Sequence, residues 1–278
     1  MTMHDRYAVI GNPVAHSQSP FIHSEFARQT GQALDYGRVL CAPDGFEDCV
    51  HAFVDAGGRG CNVTVPFKFD APRLATRSSA RARLAQAANV LRFDTQGAWA
   101  DNTDGVGLVR ALQYEQPLAG LRVLLIGAGG AAAGALGPLL EARPRAVVVV
   151  NRTSARAHLL VERHLPLAAD NGVRLQTGAL QAPGADFDVV LNASASSLHG
   201  APVPVPADVL ARGALAMDLM YGAPAQAFLD WARQAGARSH DGLAMLVEQA
   251  AEAFHFWRGV RPQTAAVLQL LRERLAGP

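Results

Sequence analysis

Polar punctuation divides this chain into apolar runs and amphipathic stretches that alternate from end to end. Apolar-rich runs occupy residues 6–10, 34–40, 60–65, 123–126, 146–150, 187–194 and 214–221, most of them closing on Gly, Asn or Pro. Their length and branched side chains predict buried strands. Between them, residues 21–29, 45–56, 225–234 and 243–257 carry apolar positions three and four apart, the spacing of a helix lying on a sheet. The Arg- and Ala-rich residues 71–86 share that spacing and predict another helix, while residues 88–91 and 98–100 predict two short strands. Such alternation predicts an α/β fold with parallel sheet.

One transition organises the rest. Residues 123–132, V-L-L-I-G-A-G-G-A-A, pass from an apolar strand through glycines into an Ala-rich helix. Gly127 permits the tight turn, Gly129 lets backbone approach a pyrophosphate, and Ala132 stands where a third small residue allows helix and strand to pack closely. Residues 123–140 lack charge, but five glycines, Pro138 and the flanking Arg122 and Glu141 argue against a membrane span. At the end of the next strand, where an NAD site places Asp or Glu for the ribose 2′-hydroxyl, this chain has Asn151, Arg152 and Thr153, with Arg156 four residues after Arg152. Two guanidinium groups at a helix start oppose the helix dipole and call for an anion, so the predicted cofactor is NADP.

The length of 278 residues, 50% apolar, accommodates one large or two modest domains with a substantial core. A net charge of +1 with the signs interspersed gives no electrostatic footprint for nucleic acid or an acidic membrane, leaving a small molecule as the expected partner. No apolar run precedes the first strand, which predicts a cytoplasmic protein without a secretory signal. Cys41, Cys49 and Cys61 form no C-x-x-C pair, and nine histidines form no H-E-x-x-H, so neither disulfide nor metal chemistry is expected.

Several polar residues stand at strand ends or helix starts. Ser17 and Ser19 flank the start of the first helix and can receive a carboxylate, although Ser19 as N-cap with Pro20 at the first helical position accounts for the same pattern. Lys68 follows a strand end in apolar surroundings and is the sole lysine of the chain. A partly desolvated lysine releases a proton more readily, a task arginine cannot perform. Asp104 begins a helix running to about residue 114, as a cap or as a carboxylate presented to a site. Met245 and Gln249 lie four apart on one helical face, the first suited to a core and the second needing polar partners if buried.

Taken together and in order, residues 11–13, 17–20, 62–68, 102–105, 127–131, 151–153 and 241–249 resemble the shikimate dehydrogenase family, over nearly the whole chain. The resemblance implies an N-terminal α/β substrate domain and an inserted, Rossmann-like, doubly wound NADP-binding domain. With linkers near Asp104 and His240, residues 1–103 and 240–278 would form the discontinuous catalytic domain and residues 104–239 the NADP domain. It implies reversible reduction of 3-dehydroshikimate to shikimate with NADPH, in aromatic amino-acid biosynthesis, by a monomer or homodimer. Carried onto matching positions, Lys68 and Asp104 would be catalytic, and Ser17, Ser19, Thr64, Asn89, Tyr221 and Gln249 would bind substrate. Gly127, Ala128, Gly129, Gly130, Ala131, Asn151, Arg152, Thr153 and Arg156 would hold the cofactor, with Leu219, Gly242 and Met245 on its nicotinamide side. Val90, Ser194, Ser197 and Gln226 depart from the family pattern and leave room for a paralogue acting on quinate or an aminoshikimate. A non-catalytic NADP sensor is a further alternative, against which the retained Lys68 and Asp104 argue.

Overall fold

A computed structural model describes residues 4–194, 197 and 202–277. The chain separates into two compact units, residues 1–107 with 247–278, and residues 108–246.

The first unit opens with β1 (Asp5–Gly11), α1 (Ser19–Thr30), β2 (Leu34–Leu40), α2 (Phe46–Asp55) and β3 (Gly58–Val63). It continues through β4 (Arg77–Ser78), α3 (Ala80–Ala85), β5 (Val90–Asp94) and β6 (Gly97–Asp101). Their order across the sheet is β2-β1-β3-β5-β6-β4, parallel about β1 and antiparallel where β5 meets β3 and β6. Side chains alternate across this sheet. Ala8, Ile10, Cys61 and Val63 pack with Phe46, Val50 and Phe53 of α2, whereas Tyr7 and Val90 pack with Ala253 and Trp257. Val90, the first of the departures, is therefore a core residue.

The helix expected over residues 71–86 is not formed as one piece. Residues 71–73 make a single 3-10 turn, Arg77 and Ser78 pair with Trp99 and Ala100 as strand, and only Ala80–Ala85 is helical. Backbone pairing to β6 outweighs helical propensity here, and the helix begins where Ser79 Oγ accepts the N–H of Ala82 at 3.1 Å.

α4 (Asp104–Gln113) leads into the second unit, which holds β7 (Arg122–Ile126), α5 (Gly130–Glu141), β8 (Ala146–Val150), α6 (Ser154–Asp170) and β9 (Arg174–Thr177). β10 (Phe187–Asn192), β11 (Leu210–Asp218), α7 (Gln226–Gln234) and β12 (Arg238–His240) complete it. The order β12-β11-β10-β7-β8-β9 is parallel throughout, the doubly wound arrangement whose strand order reverses between β7 and β10. Leu124, Ile126, Val148 and Val190 form one core face with Phe228 and Leu229 of α7. α8 (Leu243–Arg258) and α9 (Ala265–Ala276) end the chain, and the division between the units falls within α4 and α8. No helix among the described residues is long and apolar enough to cross a membrane.

Candidate active site

In the first unit the polar strand ends converge on Asp104. Lys68 sits in the 3-10 turn Phe67–Phe69, anchored by buried Phe67 stacked on Phe46 at 4.8 Å. From there its Nζ donates to Asp104 Oδ2 at 2.6 Å, with side chains 16% and 5% exposed. The second carboxylate oxygen accepts from Asn89 Nδ2 at 2.8 Å, and the Asp104 N–H donates to Asn102 Oδ1 at 3.2 Å. A carboxylate gripped at both oxygens has one orientation.

Asn89 links this pair to its surroundings. Its Nδ2 also approaches Gln249 Oε1 at 3.0 Å and Thr103 Oγ1 at 2.9 Å, while its Oδ1 accepts the Thr103 N–H at 2.7 Å. Gln249 thus has the polar partner its burial demands. Asn62, on β3, donates to the Asn89 carbonyl at 3.3 Å and accepts from the Tyr36 hydroxyl at 2.6 Å. Thr64 follows β3, and a Cβ on Gly11 would come within 2.3 Å of its Cγ2, so the end of β1 passes Thr64 only as glycine.

Ser19 is the first residue of α1 rather than its N-cap. Gln18 takes the cap position without a side-chain bond, because Pro20 already supplies a helical residue that needs no N–H partner. The Ser17 hydroxyl accepts the Ser19 N–H at 3.3 Å and lies 3.2 Å from Ser19 Oγ. Arg38 of β2 donates from Nε and Nη2 to the Ser17 carbonyl, at 3.2 and 2.6 Å, and holds this serine turn in place.

The second unit carries the nucleotide motif. Gly127 has φ +117, and a Cβ there would meet the Ala193 carbonyl carbon at 2.9 Å, so only glycine makes this turn from β7. Gly129 caps α5, and a Cβ on it would meet nothing within 4 Å, which leaves open space before a helix N-terminus. Ala128, Gly130 and Ala131 are half-buried around it, and Ala132 is buried against the sheet. Asn151 donates to the Thr153 carbonyl at 2.9 Å and shapes the turn into α6. Arg152 and Arg156 are exposed, and neither guanidinium has a partner among the described residues. Arg152 precedes α6 whereas Arg156 lies in its first turn, so their spacing is not a helical repeat. Open space, free N–H groups and two unpaired cations fit a dinucleotide with a 2′-phosphate.

Beside it, sequence reasoning passed over a buried network. Asp218, at the end of β11, accepts from Ser197 Oγ at 2.5 Å, Asn192 Nδ2 at 2.9 Å and the Met220 N–H at 2.8 Å. Burial pushes its carboxyl up and these bonds pull it back. The network shapes the Leu219–Met220–Tyr221 turn: the Leu219 N–H donates to the Asn192 carbonyl at 3.0 Å and the Gly242 N–H to that of Met220 at 2.8 Å. A Cβ on Gly242 would lie 2.3 Å from the Leu219 carbonyl oxygen, which explains the glycine. Met245 is buried on α8 and Tyr221 is half-buried. Ser197 thus joins this network, Ser194 Oγ donates to Asn192 Oδ1 at 2.6 Å, and Gln226 donates to Asp230 at 2.7 Å within α7.

Known proteins share this architecture. The family described as shikimate dehydrogenase substrate binding domain matches residues 9–91, shikimate / quinate 5-dehydrogenase matches residues 110–200, and shikimate 5′-dehydrogenase C-terminal domain matches residues 242–272. A shikimate dehydrogenase (NADP(+)) of Acidovorax sp. (strain JS42) is 60% identical over 98% of this chain and 97% of its own. Among solved structures, an Ael1 enzyme from Pseudomonas putida superposes with a TM-score of 0.87 at 48% identity, covering 96% of this chain and 98% of its own. Shikimate 5-dehydrogenase from Thermus thermophilus in complex with shikimate gives 0.83 at 30% identity, over 98% and 99%.

Proposed function

The chain belongs to the shikimate dehydrogenase family, and we propose that it does its chemistry through Lys68 and Asp104, held 2.6 Å apart in a largely buried ion pair. The enzyme is an NADP-dependent oxidoreductase that interconverts 3-dehydroshikimate and shikimate, a step on the route to aromatic amino acids. NADP(H), when bound, supplies or accepts the hydride.

In the reductive direction negative charge builds on the ketone oxygen, and Lys68 Nζ delivers a proton to it. The lysine regains that proton from solvent. In the oxidative direction Lys68 is the base that takes the hydroxyl proton. Asp104 keeps Nζ and the reacting oxygen in line, and Asn89 keeps Asp104 from turning. Ser17, Ser19 and Tyr221 receive the ring carboxylate, while Thr64, Asn89 and Gln249 contact the ring, which fixes the carbon presented for hydride transfer. Residues 127–131 carry the pyrophosphate, and Asn151, Arg152, Thr153 and Arg156 the 2′-phosphate end. Leu219, Gly242 and Met245 line the nicotinamide side. The reading makes this a cytoplasmic enzyme, monomer or homodimer.

The carrying observation is the Lys68–Asp104 pair, which an NADP sensor has no use for. The test mixes protein, shikimate and NADP⁺ and follows absorbance of the reduced nicotinamide. A rising trace with shikimate, and a much weaker one with quinate, is expected. A flat trace from protein that binds NADP would leave the sensor as the better account.

A further inference from the structure

Strand order decides which half of a dinucleotide lies over which strand. In the sheet β12-β11-β10-β7-β8-β9, the open N-terminus of α5 follows β7 and Arg152 follows β8. A cofactor with its pyrophosphate at the first and its 2′-phosphate at the second extends its other half the opposite way, past the ends of β10 and β11. β11 ends in Asp218, which is fully buried and pairs with no cation among the described residues. The protons around it are all committed. The Ser194 N–H can only donate, at 3.2 Å to Asn192 Oδ1, so Asn192 turns Nδ2 toward Ser197 Oγ and Asp218 Oδ2, each at 2.9 Å. Ser197 Oγ accepts there and sends its own proton to Asp218 Oδ2, while Oδ1 takes the Met220 N–H. A protonated carboxyl would find no acceptor among these three partners, so Asp218 is a carboxylate. A buried charge held by neutral donors alone is costly and calls for a purpose.

We propose that Asp218 is a specificity-determining residue through which the second unit favours the oxidised cofactor over the reduced one. The proposal rests on the placement of the nicotinamide beside Leu219, the residue that follows Asp218. Oxidised nicotinamide is a cation, reduced nicotinamide is neutral, and the two cofactors are otherwise alike. A fixed negative charge at the strand end therefore attracts one ring and not the other. Because NADP⁺ forms together with shikimate, the same charge tips the bound reactants toward shikimate.

The test reads the Kd of NADP⁺ and of NADPH by titration without shikimate. Asp218→Asn removes the charge and keeps the shape. At the effective dielectric of a protein interior, opposite charges a strand or two apart change an affinity roughly tenfold, so the Kd for NADP⁺ should rise about that much relative to the Kd for NADPH. Both cofactors meet the same turn, so a mere change of its shape cancels in the ratio. A second variant, Ser197→Lys, sets an ammonium against the carboxylate without touching β11 and should shift the ratio in the same direction. Ser197→Ala loosens the network but keeps the charge, and its ratio should match that of the unmodified protein. Equal changes in both affinities, an unmoved ratio in either charge variant, or the same shift in Ser197→Ala would overturn the proposal. A protein that fails to oxidise shikimate would defeat the proposed reaction and leave both affinities readable.

Discussion

Lys68 is a lone lysine among 25 basic residues, and its proposed role separates it from every arginine in the chain. Proton transfer by a positioned group is worth about 10² to 10⁴ in rate, so Lys68→Met should lose at least two decades of kcat while the Kd for shikimate moves much less. Lys68→Arg should restore little, because a guanidinium keeps the charge and withholds the proton. Near wild-type turnover in the arginine variant, with methionine inactive, would mean that positive charge alone suffices. Arg152 makes a parallel case. A charge-assisted bond contributes about 1.5–3 kcal/mol, so Arg152→Ala should raise the KM for NADP roughly tenfold to a hundredfold and leave NAD kinetics nearly unchanged. Equal losses with both cofactors would assign Arg152 to the fold. Both residues stand out in the sequence by type and place. Tyr36 does not: its partner Asn62 comes from another strand, as Gln249 meets Asn89 across 160 residues of chain, and no local pattern encodes such a meeting.

Among the elements, the turn from β7 to α5 was the most legible, because a strand ending in spaced glycines has few other physical explanations. Gly127→Ala should test it. A left-handed φ costs a residue with a Cβ at least about 1–2 kcal/mol, and contact with the Ala193 carbonyl adds to that. Lowered thermal stability together with lost NADP affinity is expected, and an alanine variant that binds NADP normally would show that the turn tolerates a side chain. Residues 71–86 mark the opposite limit. Their helical spacing is real, but pairing of Arg77 and Ser78 with β6 recruits the middle of the segment, and that partner is invisible until the chain folds back. β9 and β12 escaped for another reason: both are short, polar edge strands without an apolar run.

For the molecule as a whole, the buried histidines set how stability responds to acid. Burial pushes His23 down to about 3 and His164 down to about 4, against 6.5 for an ordinary histidine. Below pH 6.5 the unfolded chain takes up protons that the folded chain refuses, so stability present at neutral pH is lost as pH falls. The loss between pH 7 and 5 comes to roughly 2 kcal/mol per histidine. Urea unfolding at pH 7 and pH 5 should show it, and His23→Phe, which preserves a ring against Tyr36, should lose less than the unmodified protein. Identical losses in both would rule out His23 as a source. The one lysine has another consequence at this scale. A lysine-specific endoprotease finds a single bond to cut, after Lys68, inside a 3-10 turn closed by the Asp70 N–H on the Phe67 carbonyl at 2.9 Å. A protease needs that backbone extended, so each molecule is either whole or split once, and the rate of splitting becomes a clock for how often the turn beneath the site comes open.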